Sequence, residues 1–450
     1  MTTNNSPAPA RLSTEVLRPL RTLDPDGPQE DLTWLDEAIG DARVVAIGEN
    51  AHYNRESYRL RHRLMRYLVE RHGFGAYAME SGFVEGRLTD EWIRGGQGRP
   101  GNVMANGMTS LMGLWTEMRA HLEWMRQHNL AAAGPVGFYG IDLSGSNVSL
   151  LPGLDAVIAY LAHADPEFEM DPRIRETASA FAAPSAFSFS RAIAAYGQLA
   201  PEQRDALTAG LADLTARMEG RRLDYRQRTT ADAYERALRS LHLTVAIDAI
   251  ARAMVRGDHA SVLFDRDAAI ADTVEWILHR EERIVLAAHN GHIQRWPAGL
   301  PGTPPATTTG MHLADRIGED YLVIGITNGS GQTLNTGADF YAGKLFTDLE
   351  PPRPGSLDAL MAASGDGPFA TDLRRLPPAD TEAVRAISQQ RLGTLYCDVS
   401  PLDAYDVVVH LPHVTAAEPD DTALANSPHE VQKAFSHCKA AMPPASAGPT

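Results

Sequence analysis

The sequence predicts an α/β fold: a mostly parallel central sheet flanked by helices, with an all-helical subdomain inserted as a lid or wall. Short apolar runs such as Val44–Ile47 alternate with amphipathic helical patterns, which is typical of parallel strands covered on both faces. Several of these runs end on an acid or a histidine. Residues 152–256, by contrast, are rich in Ala, Leu, Arg and Glu at helical spacing and carry little strand signal.

These patterns divide the 450 residues into five segments. The length allows two or three domain-sized units with a large core. We expect a flexible N-terminus and leading helix (1–34), the first part of the α/β core (35–150), the helical insertion (151–258), the second part of the core (259–415) and a disordered tail (416–450).

Composition excludes several classes of partner. The formal net charge of −16 argues against binding to nucleic acid or to an anionic membrane, because both require a basic surface. The two cysteines, Cys397 and Cys438, offer neither a disulfide framework nor a CxxC pair for zinc. The N-terminus lacks the pattern of a signal peptide, and no window approaches the length of a membrane span, so we expect a cytoplasmic protein.

The first predicted strand brings a carboxylate and an imidazole to the edge of the sheet. Val44–Ile47 is apolar throughout, and Gly48 lets the chain turn sharply where the strand ends. Glu49 and His52 follow. Because ligands of α/β proteins bind at the carboxyl ends of the strands, both are candidate site residues. The alternative is that they only bond nearby backbone.

The next segment, residues 53–71, has a strong helical period. One stripe holds four apolar residues: Leu60, Leu64, Met65 and Leu68. Arg61 falls inside the same stripe. An arginine on a core face needs a carboxylate or a ligand, because an unpaired buried charge is costly. The pattern therefore predicts a partner for Arg61, either in a structural ion pair or in a functional site.

Three further predicted strands end on titratable residues. They are residues 75–80 ending on Glu80, residues 136–142 ending on Asp142, and residues 283–288 followed by His289 and His292. Because one helix joins the strand at 44–47 to the strand at 75–80, we expect Glu49 and Glu80 to lie side by side. Two more strands are predicted at 321–327 and 407–410.

Acids and histidines gathered at one sheet edge suit general acid/base catalysis. A histidine takes a proton from water, a carboxylate orients that histidine, and a second histidine or an arginine stabilises the oxyanion. Glu49 and His52 match the orienting acid and the base, and the partners would be Arg61, His289 and His292. A nucleophilic serine is disfavoured because no serine lies in a G-x-S-x-G elbow, and the two cysteines lie far away in sequence.

The same residues could instead hold a metal ion. Glu49 and His52, together with His289 and His292, would supply three or four ligands of the types that zinc and related ions prefer. Both pairs lie on strand-to-loop turns, so the helical H-E-x-x-H arrangement does not apply. A further alternative is that His289 and His292 only bond loop carbonyls.

Taken together, these segments resemble the erythromycin esterase family. The resemblance covers about residues 35–410 and is carried by short motifs in the same order. The motifs are Gly48-Glu49-Asn50-Ala51-His52, Glu56, the helix 60–68, the strand ending in Glu80, Trp92-Ile93-Arg94-Gly95-Gly96, Tyr139-Gly140-Ile141-Asp142, Arg266-Asp267, Ala288-His289-Asn290-Gly291-His292 and Gly310-Met311-His312-Leu313. One departure is Asn50-Ala51, where the macrolide-resistance members typically have Ala-Thr.

The resemblance implies an α/β hydrolytic scaffold that cleaves a lactone or related ester without a serine nucleophile. It makes His52 the general base on water, in a site that needs no metal or other cofactor. The remaining catalytic residues would be Glu49, Arg61, Glu80, His289 and His292. Within the matching motifs we expect substrate contacts from Asn50, Glu56, Asp142, Arg266 and Met311. The expected partner is a small-molecule natural product, either a macrolide or another ester.

Two other functions are compatible with these residues. A biosynthetic enzyme on this scaffold could use His52 for cyclisation, elimination or acyl rearrangement of a natural-product intermediate. A non-catalytic protein could bind the same kind of ligand without turnover.

Overall fold

A central sheet of nine strands carries the fold, and helices cover both of its faces. The computed structural model describes residues 10–131, 134–299, 304–335 and 338–441. In these ranges the strands are β1 (Arg18–Pro19), β2 (Val44–Ile47), β3 (Ala76–Gly82), β4 (Gly137–Asp142), β5 (Ile284–Ala287), β6 (Tyr321–Leu334), β7 (Phe346–Asp348), β8 (Phe369–Asp372), β9 (Gln389–Leu392), β10 (Leu395–Asp398) and β11 (Val407–Val414).

The α-helices of the described residues are distributed along the whole chain. They are α1 (Trp34–Ile39), α2 (Arg55–His72), α3 (Phe83–Ile93), α4 (Pro100–Gly107), α5 (Thr116–Ala131), α6 (Leu151–Ala164), α7 (Pro172–Ala180), α8 (Phe189–Gln198), α9 (Pro201–Gly220), α10 (Arg222–Arg228), α11 (Ala231–Arg256), α12 (His259–Leu278), α13 (Asn290–Ile293), α14 (Thr309–Ile317), α15 (Leu357–Ser364), α16 (Pro378–Arg385), α17 (Pro401–Ala404), α18 (Asp421–Asn426) and α19 (His429–Ala441). None of these helices combines the length and hydrophobicity needed to cross a bilayer.

Six neighbouring strands of the large sheet are parallel, in the order β4-β3-β5-β2-β6-β11. Antiparallel strands complete the sheet: β8 pairs with β11, β1 with β8, and β7 with β6. The predicted α/β class with a mostly parallel sheet is therefore confirmed. Since parallel strands all end at one edge, the residues that follow β2, β3, β4 and β5 meet there.

The position of β5 corrects one expectation. β5 pairs with both β2 and β3, so the first two long strands are not neighbours. Glu49 and Glu80 therefore come from strands on either side of β5, although their carboxylates still converge, with one oxygen of each within 4.8 Å of the other. The α2 crossover spans two strand positions, and β5 enters the gap from much later in the chain. A crossover rule constrains the handedness of the connection but not the number of positions that it skips.

Side chains of β2 alternate between two cores. Val45 and Ile47 pack in the cluster that contains the apolar stripe of α2, whereas Val44 and Ala46 pack with α12 on the other face. The four stripe residues predicted on α2 are fully buried. The helix ends at Gly73, whose left-handed φ of 66° closes it.

Gly48 is required at the end of β2 by a close approach. A Cβ atom there would lie 2.0 Å from Oδ1 of Asn290. The Asn290 side chain joins the loop after β5 to β6, since its Oδ1 accepts the N–H of Ile326 and its Nδ2 donates to the carbonyl of the same residue. The glycine predicted for its turn thus also makes room for this amide.

The two ends of the chain depart from the prediction. Before α1 the described chain forms short turns and the strand β1, where a leading helix was expected. Residues 416–450 were expected to be disordered, but α18 and α19 lie within 421–441. Val431 and Phe435, one helical turn apart on α19, are buried in the core beside Trp115. Residues 1–9 and 442–450, which belong to the predicted flexible ends, lie outside the described residues.

Candidate active site

A cavity of about 410 Å³ lies at the carboxyl ends of the central strands. A volume of this size suits a small organic ligand. The predicted site residues that line it are His52, Glu80, Asp142, Arg266, His289 and His292. Glu49 lies buried next to His52, and Arg61 lies buried next to Glu49. The structure therefore brings together residues from four strand ends and two helices.

Glu49 orients His52. The Nδ1–H of His52 donates to Oε1 of Glu49 at 2.6 Å, so Nε2 of the neutral imidazole carries the basic lone pair. The Glu49 side chain is 1% exposed and that of His52 is 22% exposed, so it is the histidine that reaches the cavity. Burial opposes a charge on His52, but the carboxylates of Glu80 and Glu49 outweigh it and raise the pKa of His52 above its ordinary value.

Arg61 compensates the charge of Glu49. Its Nη1 lies 3.0 Å from Oε2 of Glu49, and both side chains are almost fully buried. Its other donors bond backbone carbonyls at the ends of β2 and β5. Burial alone would raise the pKa of Glu49, but Arg61 and His52 outweigh burial and hold this pKa below its usual value. The arginine predicted to need a partner thus has a carboxylate that itself contacts the candidate base.

Glu80 lies at the centre of the cluster. Its Oε1 is 3.1 Å from Nη2 of Arg266 and 3.4 Å from Nε2 of His292. The same oxygen is 3.7 Å from Nε2 of His52, and Oε2 accepts the backbone N–H of His289 at 2.7 Å. Burial would raise the pKa of Glu80, but His292, His52 and Arg266 hold it well below its usual range. Glu80 is therefore an ionised carboxylate shared by the surrounding cations.

Asp267 holds His292 as a cation. The Nδ1–H of His292 donates to the two oxygens of Asp267 at 2.9 and 3.1 Å. Asp267 also accepts the backbone N–H and the hydroxyl of Thr309 at 2.8 and 2.9 Å. Burial opposes a charge on the imidazole, but Asp267 and Glu80 outweigh it and raise the pKa of His292 to about 10. His292 is thus protonated at neutral pH, with Nε2–H in the cavity wall.

Asp267 was not predicted as a site residue, although the sequence carries a signal for it. It falls on the buried stripe of α12 together with Ile270, Val274 and Ile277. An acid on an apolar helical stripe needs a partner for the same reason that Arg61 does. Its neighbour Arg266 bonds both oxygens of Asp142 at 3.1 and 2.6 Å, so α12 supplies partners to two strand ends.

Both ring nitrogens of His289 are engaged by backbone groups. Its Nε2–H donates to the carbonyl of Asn50 at 2.9 Å, and its Nδ1 accepts the N–H of Gly291 at 3.1 Å. Burial, with the nearby His52, lowers the pKa of His289 to about 4. His289 is therefore neutral at pH 7 and ties the loop after β2 to the loop after β5. Its ring still lines the cavity, 5.3 Å from the ring of His52.

Three predicted substrate contacts lie away from the lining of the cavity. Asn50 is fully buried and bonds the β9–β10 hairpin. Glu56 accepts the N–H and the hydroxyl of Thr415, which attaches the start of α2 to the chain after β11. Met311 lies on α14, where its N–H donates to the capping hydroxyl of Thr308. Each of these side chains or backbone groups supports the scaffold in the present geometry.

Glu49, His52 and Glu80 are close enough to be considered as metal ligands, with one donor atom from each within 4.8 Å of the others. The carboxylate oxygens of Glu49 and Glu80 are already engaged. Glu49 bonds His52 and Arg61, and Glu80 bonds the backbone of His289 and contacts cationic side chains. A divalent ion would have to displace these cations from both carboxylates, so the arrangement favours a proton-transfer site over a metal site.

The walls of the cavity come from segments that were not predicted. The β9–β10 hairpin, the neighbourhood of Ala298 and Ala306, and Met112 contribute lining residues. The helical insertion was expected to act as a lid or wall, but none of the described lining residues belongs to 151–258. Those residues form helices α6 to α11 around a core of their own.

The fold and the site together define a mostly parallel α/β scaffold with a cluster of acids, histidines and arginines at its carboxyl edge. The chain belongs to the erythromycin esterase family, whose model matches residues 69–414. It is 28% identical over 422 residues to erythromycin esterase type II of Escherichia coli, covering 89% of this chain and 96% of that protein. It is also 26% identical over 304 residues to erythromycin esterase type I of the same organism, covering 65% and 72%.

Solved structures share this fold. A protein from Bacillus cereus superposes with a TM-score of 0.74 at 20% identity, covering 90% of this chain and 97% of that one. A mutant of the erythromycin esterase EreC in its open conformation gives 0.72 at 21% identity, covering 89% and 98%. The likeness therefore extends over nearly the full length of each chain.

Proposed function

We propose that this protein is a hydrolase that cleaves an ester or lactone of a small natural product by means of water activated by His52. The observation that carries the proposal is the pair formed by Glu49 and His52. Glu49 accepts the Nδ1–H at 2.6 Å, which leaves Nε2 of the neutral ring as the base on the side of the cavity. The names of the family and of its curated relatives support an ester as the substrate.

The proposed reaction has two steps. In the first, Nε2 of His52 takes a proton from water while the water oxygen bonds the carbonyl carbon. The oxyanion that forms would be stabilised by the positive charges of His292 and Arg266, both of which line the cavity. In the second, the tetrahedral intermediate breaks its bond to the alcohol oxygen, and His52 returns the proton to that oxygen. The products are one acid and one alcohol, and one water is consumed.

Glu49 and Arg61 would hold the base without touching the substrate. The cationic His52 that forms in the first step is stabilised by Glu49 on one side and by Glu80 on the other. Arg61 keeps Glu49 ionised, so the carboxylate can accept the Nδ1–H throughout. In its neutral form, His289 would contribute by holding the backbone around Asn50 in place.

The test is turnover of ester and lactone natural products, macrolides included, in water labelled with heavy oxygen. We expect a product that gains the mass of one water and carries the label in its new carboxyl group. His52→Ala should reduce the rate by about 10²–10⁴-fold, as is usual for loss of a general base, at an unchanged circular-dichroism spectrum.

The matched control is His163→Ala, since His163 is an exposed histidine on α6. It should retain the parental rate. A product of unchanged mass would show that the reaction is a cyclisation or rearrangement and not a hydrolysis. Full activity of His52→Ala would refute the assignment of His52 as the base.

A further inference from the structure

The cavity combines charged residues with an apolar wall. Its apolar lining side chains include Met112, Leu263, Leu334, Leu392 and Leu395. The last two lie on either side of the turn of the β9–β10 hairpin, whose strands are Gln389–Leu392 and Leu395–Asp398. This hairpin therefore presents a leucine surface to the same cavity that contains the candidate base.

The hairpin lies outside the main sheet. Within the described chain, the ladder of β9 and β10 joins only these two strands. A short isolated hairpin is marginally stable in water, so other contacts must hold it in position. Those contacts decide where the leucines stand relative to His52.

Asn50 supplies the contacts at the turn. The N–H of Gly393 donates to the backbone carbonyl of Asn50 at 2.8 Å and lies 3.2 Å from its Oδ1. Nδ2 of Asn50 donates to the carbonyl of Arg391 at 2.5 Å. The Asn50 side chain thus bonds both ends of the turn, and its full burial shields these bonds from water.

A second buried residue continues this attachment. Oδ2 of Asp358 accepts the N–H of Arg391 at 2.7 Å, and Oδ1 lies 3.4 Å from Nδ2 of Asn50. The guanidinium of Arg391 in turn donates to the carbonyls of Glu350 and Gly329 at 2.7 and 2.9 Å. Arg391, next to the turn of the hairpin, is therefore attached to the loop after β7 and to the middle of β6.

Asn50 also belongs to the catalytic loop. It directly follows Glu49, and its carbonyl accepts the Nε2–H of His289 at 2.9 Å. One residue therefore joins the hairpin to the loop that carries His52. A movement of the hairpin relative to the base would require these buried bonds to break.

We infer that the β9–β10 hairpin is the substrate-selecting wall of the cavity and that Asn50 is the residue that positions it. The chemical class selected is an ester that carries a bulky aliphatic group, which packs on Leu392 and Leu395 while its carbonyl lies at His52. This inference rests on the proposed ester hydrolysis and adds to it the side of the substrate that is recognised.

The leucine wall is tested with two series of esters. In the first series, of nitrophenyl-type esters, the acyl chain is varied from acetyl to octanoyl. In the second series, of alkyl esters, the alcohol is varied. The readout is the ratio of kcat/KM for the longest and shortest members. The wild-type protein should prefer the long member in at least one series. Leu392→Ala combined with Leu395→Ala should lower that ratio about 10-fold or more, since each lost apolar contact is worth about 10-fold or more in discrimination.

The matched control for the leucines is Leu223→Ala, because Leu223 is 75% exposed on the distant helix α10. Its ratio should equal that of the wild type. An unchanged ratio in the double leucine variant, or a wild-type preference for the short member in both series, would overturn the inference.

The positioning role is tested with Asn50→Ala. We expect KM to rise for the long ester much more than for the short one, while the acid limb of the pH–rate profile stays in place because Glu49 and His52 are retained. The control is Asn54→Ala, since Asn54 is a fully buried asparagine whose Nδ2 bonds the carbonyl of Gln332, away from the hairpin. A merely structural loss would lower stability in both variants and shift the ester ratio in neither.

The outcomes separate the two proposals. Turnover of esters by the wild type with a chain-length ratio that none of the hairpin variants changes refutes the selecting wall and leaves hydrolysis standing. Failure of the wild type to hydrolyse any member of either series, or any natural-product ester, refutes the proposed function and this inference with it.

Discussion

His52 is the group whose protonation controls the proposed reaction. As a base it must be neutral, so kcat/KM should fall as the pH decreases through its pKa. The carboxylates of Glu80 and Glu49 raise that pKa above 6.5 against the effect of burial. The acid limb of the profile should therefore lie at a higher pH than an ordinary histidine would give.

Glu49→Gln tests this origin of the pKa. The amide oxygen can still accept the Nδ1–H of His52, but one negative charge is removed, so the pKa of His52 should decrease and the acid limb should move to lower pH. A pH–rate profile of kcat/KM measures the shift. Glu219→Gln, at an exposed acid on α9, should leave the limb unchanged. A limb that moves upward, or does not move in Glu49→Gln, would contradict the role given to this pair.

Some residue-level features could be predicted and others could not. The acids and histidines after buried strands were visible because strand and titratable residue are adjacent in sequence. The state of His289 was not visible, since its tautomer depends on the carbonyl of Asn50 and the N–H of Gly291. Asn50 itself was expected to touch substrate, whereas it bonds a hairpin more than 300 residues away in sequence.

At the scale of elements, Arg61 couples helix α2 to the ends of β2 and β5. Arg61→Met keeps much of the volume but leaves Glu49 buried without its cation, and breaking a buried pair in this way costs about 3–5 kcal/mol. We expect a loss of that size in the free energy of unfolding, measured by urea titration. Arg59→Met, at an exposed position of the same helix, should change stability by less than about 0.5 kcal/mol.

The double variant Arg61→Met with Glu49→Gln supplies the internal check. Removing both charges should recover part of the loss, because no uncompensated charge remains buried. If Arg61→Met were as mild as Arg59→Met, the pair would not connect α2 to the sheet.

The central strands were predictable as elements because they are buried on both faces and therefore apolar throughout. β1, β7 and the β9–β10 hairpin were not, since they are short and largely polar or partly exposed. Their pairing comes from tertiary contacts, which a local pattern does not encode. Of these elements the hairpin matters most for the site, because it forms part of the wall of the cavity and was not predicted.

At the scale of the whole molecule, two neutral histidines are buried between α2 and α5. The rings of His62 and His121 stack at 4.5 Å with an interplanar angle of 11°. Burial, with Arg66, lowers the pKa of His62 to about 3, and burial, with His62, holds the pKa of His121 well below its ordinary value. Both imidazoles are therefore neutral in the folded protein over most of the acidic range.

This pair should make the fold sensitive to acid. Below pH 6.5 the unfolded chain binds protons at both histidines, whereas folded His62 binds one only near pH 3. Stability is therefore present above 6.5 and is lost as the pH falls, at up to about 1.4 kcal/mol per pH unit for each histidine. His121→Phe should show a smaller loss between about pH 7 and about pH 5, measured by urea midpoints.

The control for acid sensitivity is His163→Phe, at the exposed histidine of α6, which should keep the parental dependence on pH. An equally steep decrease in His121→Phe would place the acid sensitivity elsewhere in the molecule.

The fold class followed from the sequence, but the order of the strands did not. Periodicity identifies a buried strand without naming its neighbours, so the insertion of β5 between β2 and β3 had to come from the structure. The same limit applies to the helical insertion, whose residues were recognised as helical although their relation to the cavity was not.

The separate ladder of the β9–β10 hairpin has an evolutionary consequence. Because its strands pair with each other, changes of the side chains of Leu392 and Leu395 leave the hydrogen bonds of the large sheet, and the backbone bonds of the turn to Asn50, intact within the described chain. Mutations there can accumulate without weakening the scaffold that carries the proton-transfer groups. The substrate range of such a protein can therefore change through substitutions in one short segment, while selection preserves the residues that carry out the proposed reaction.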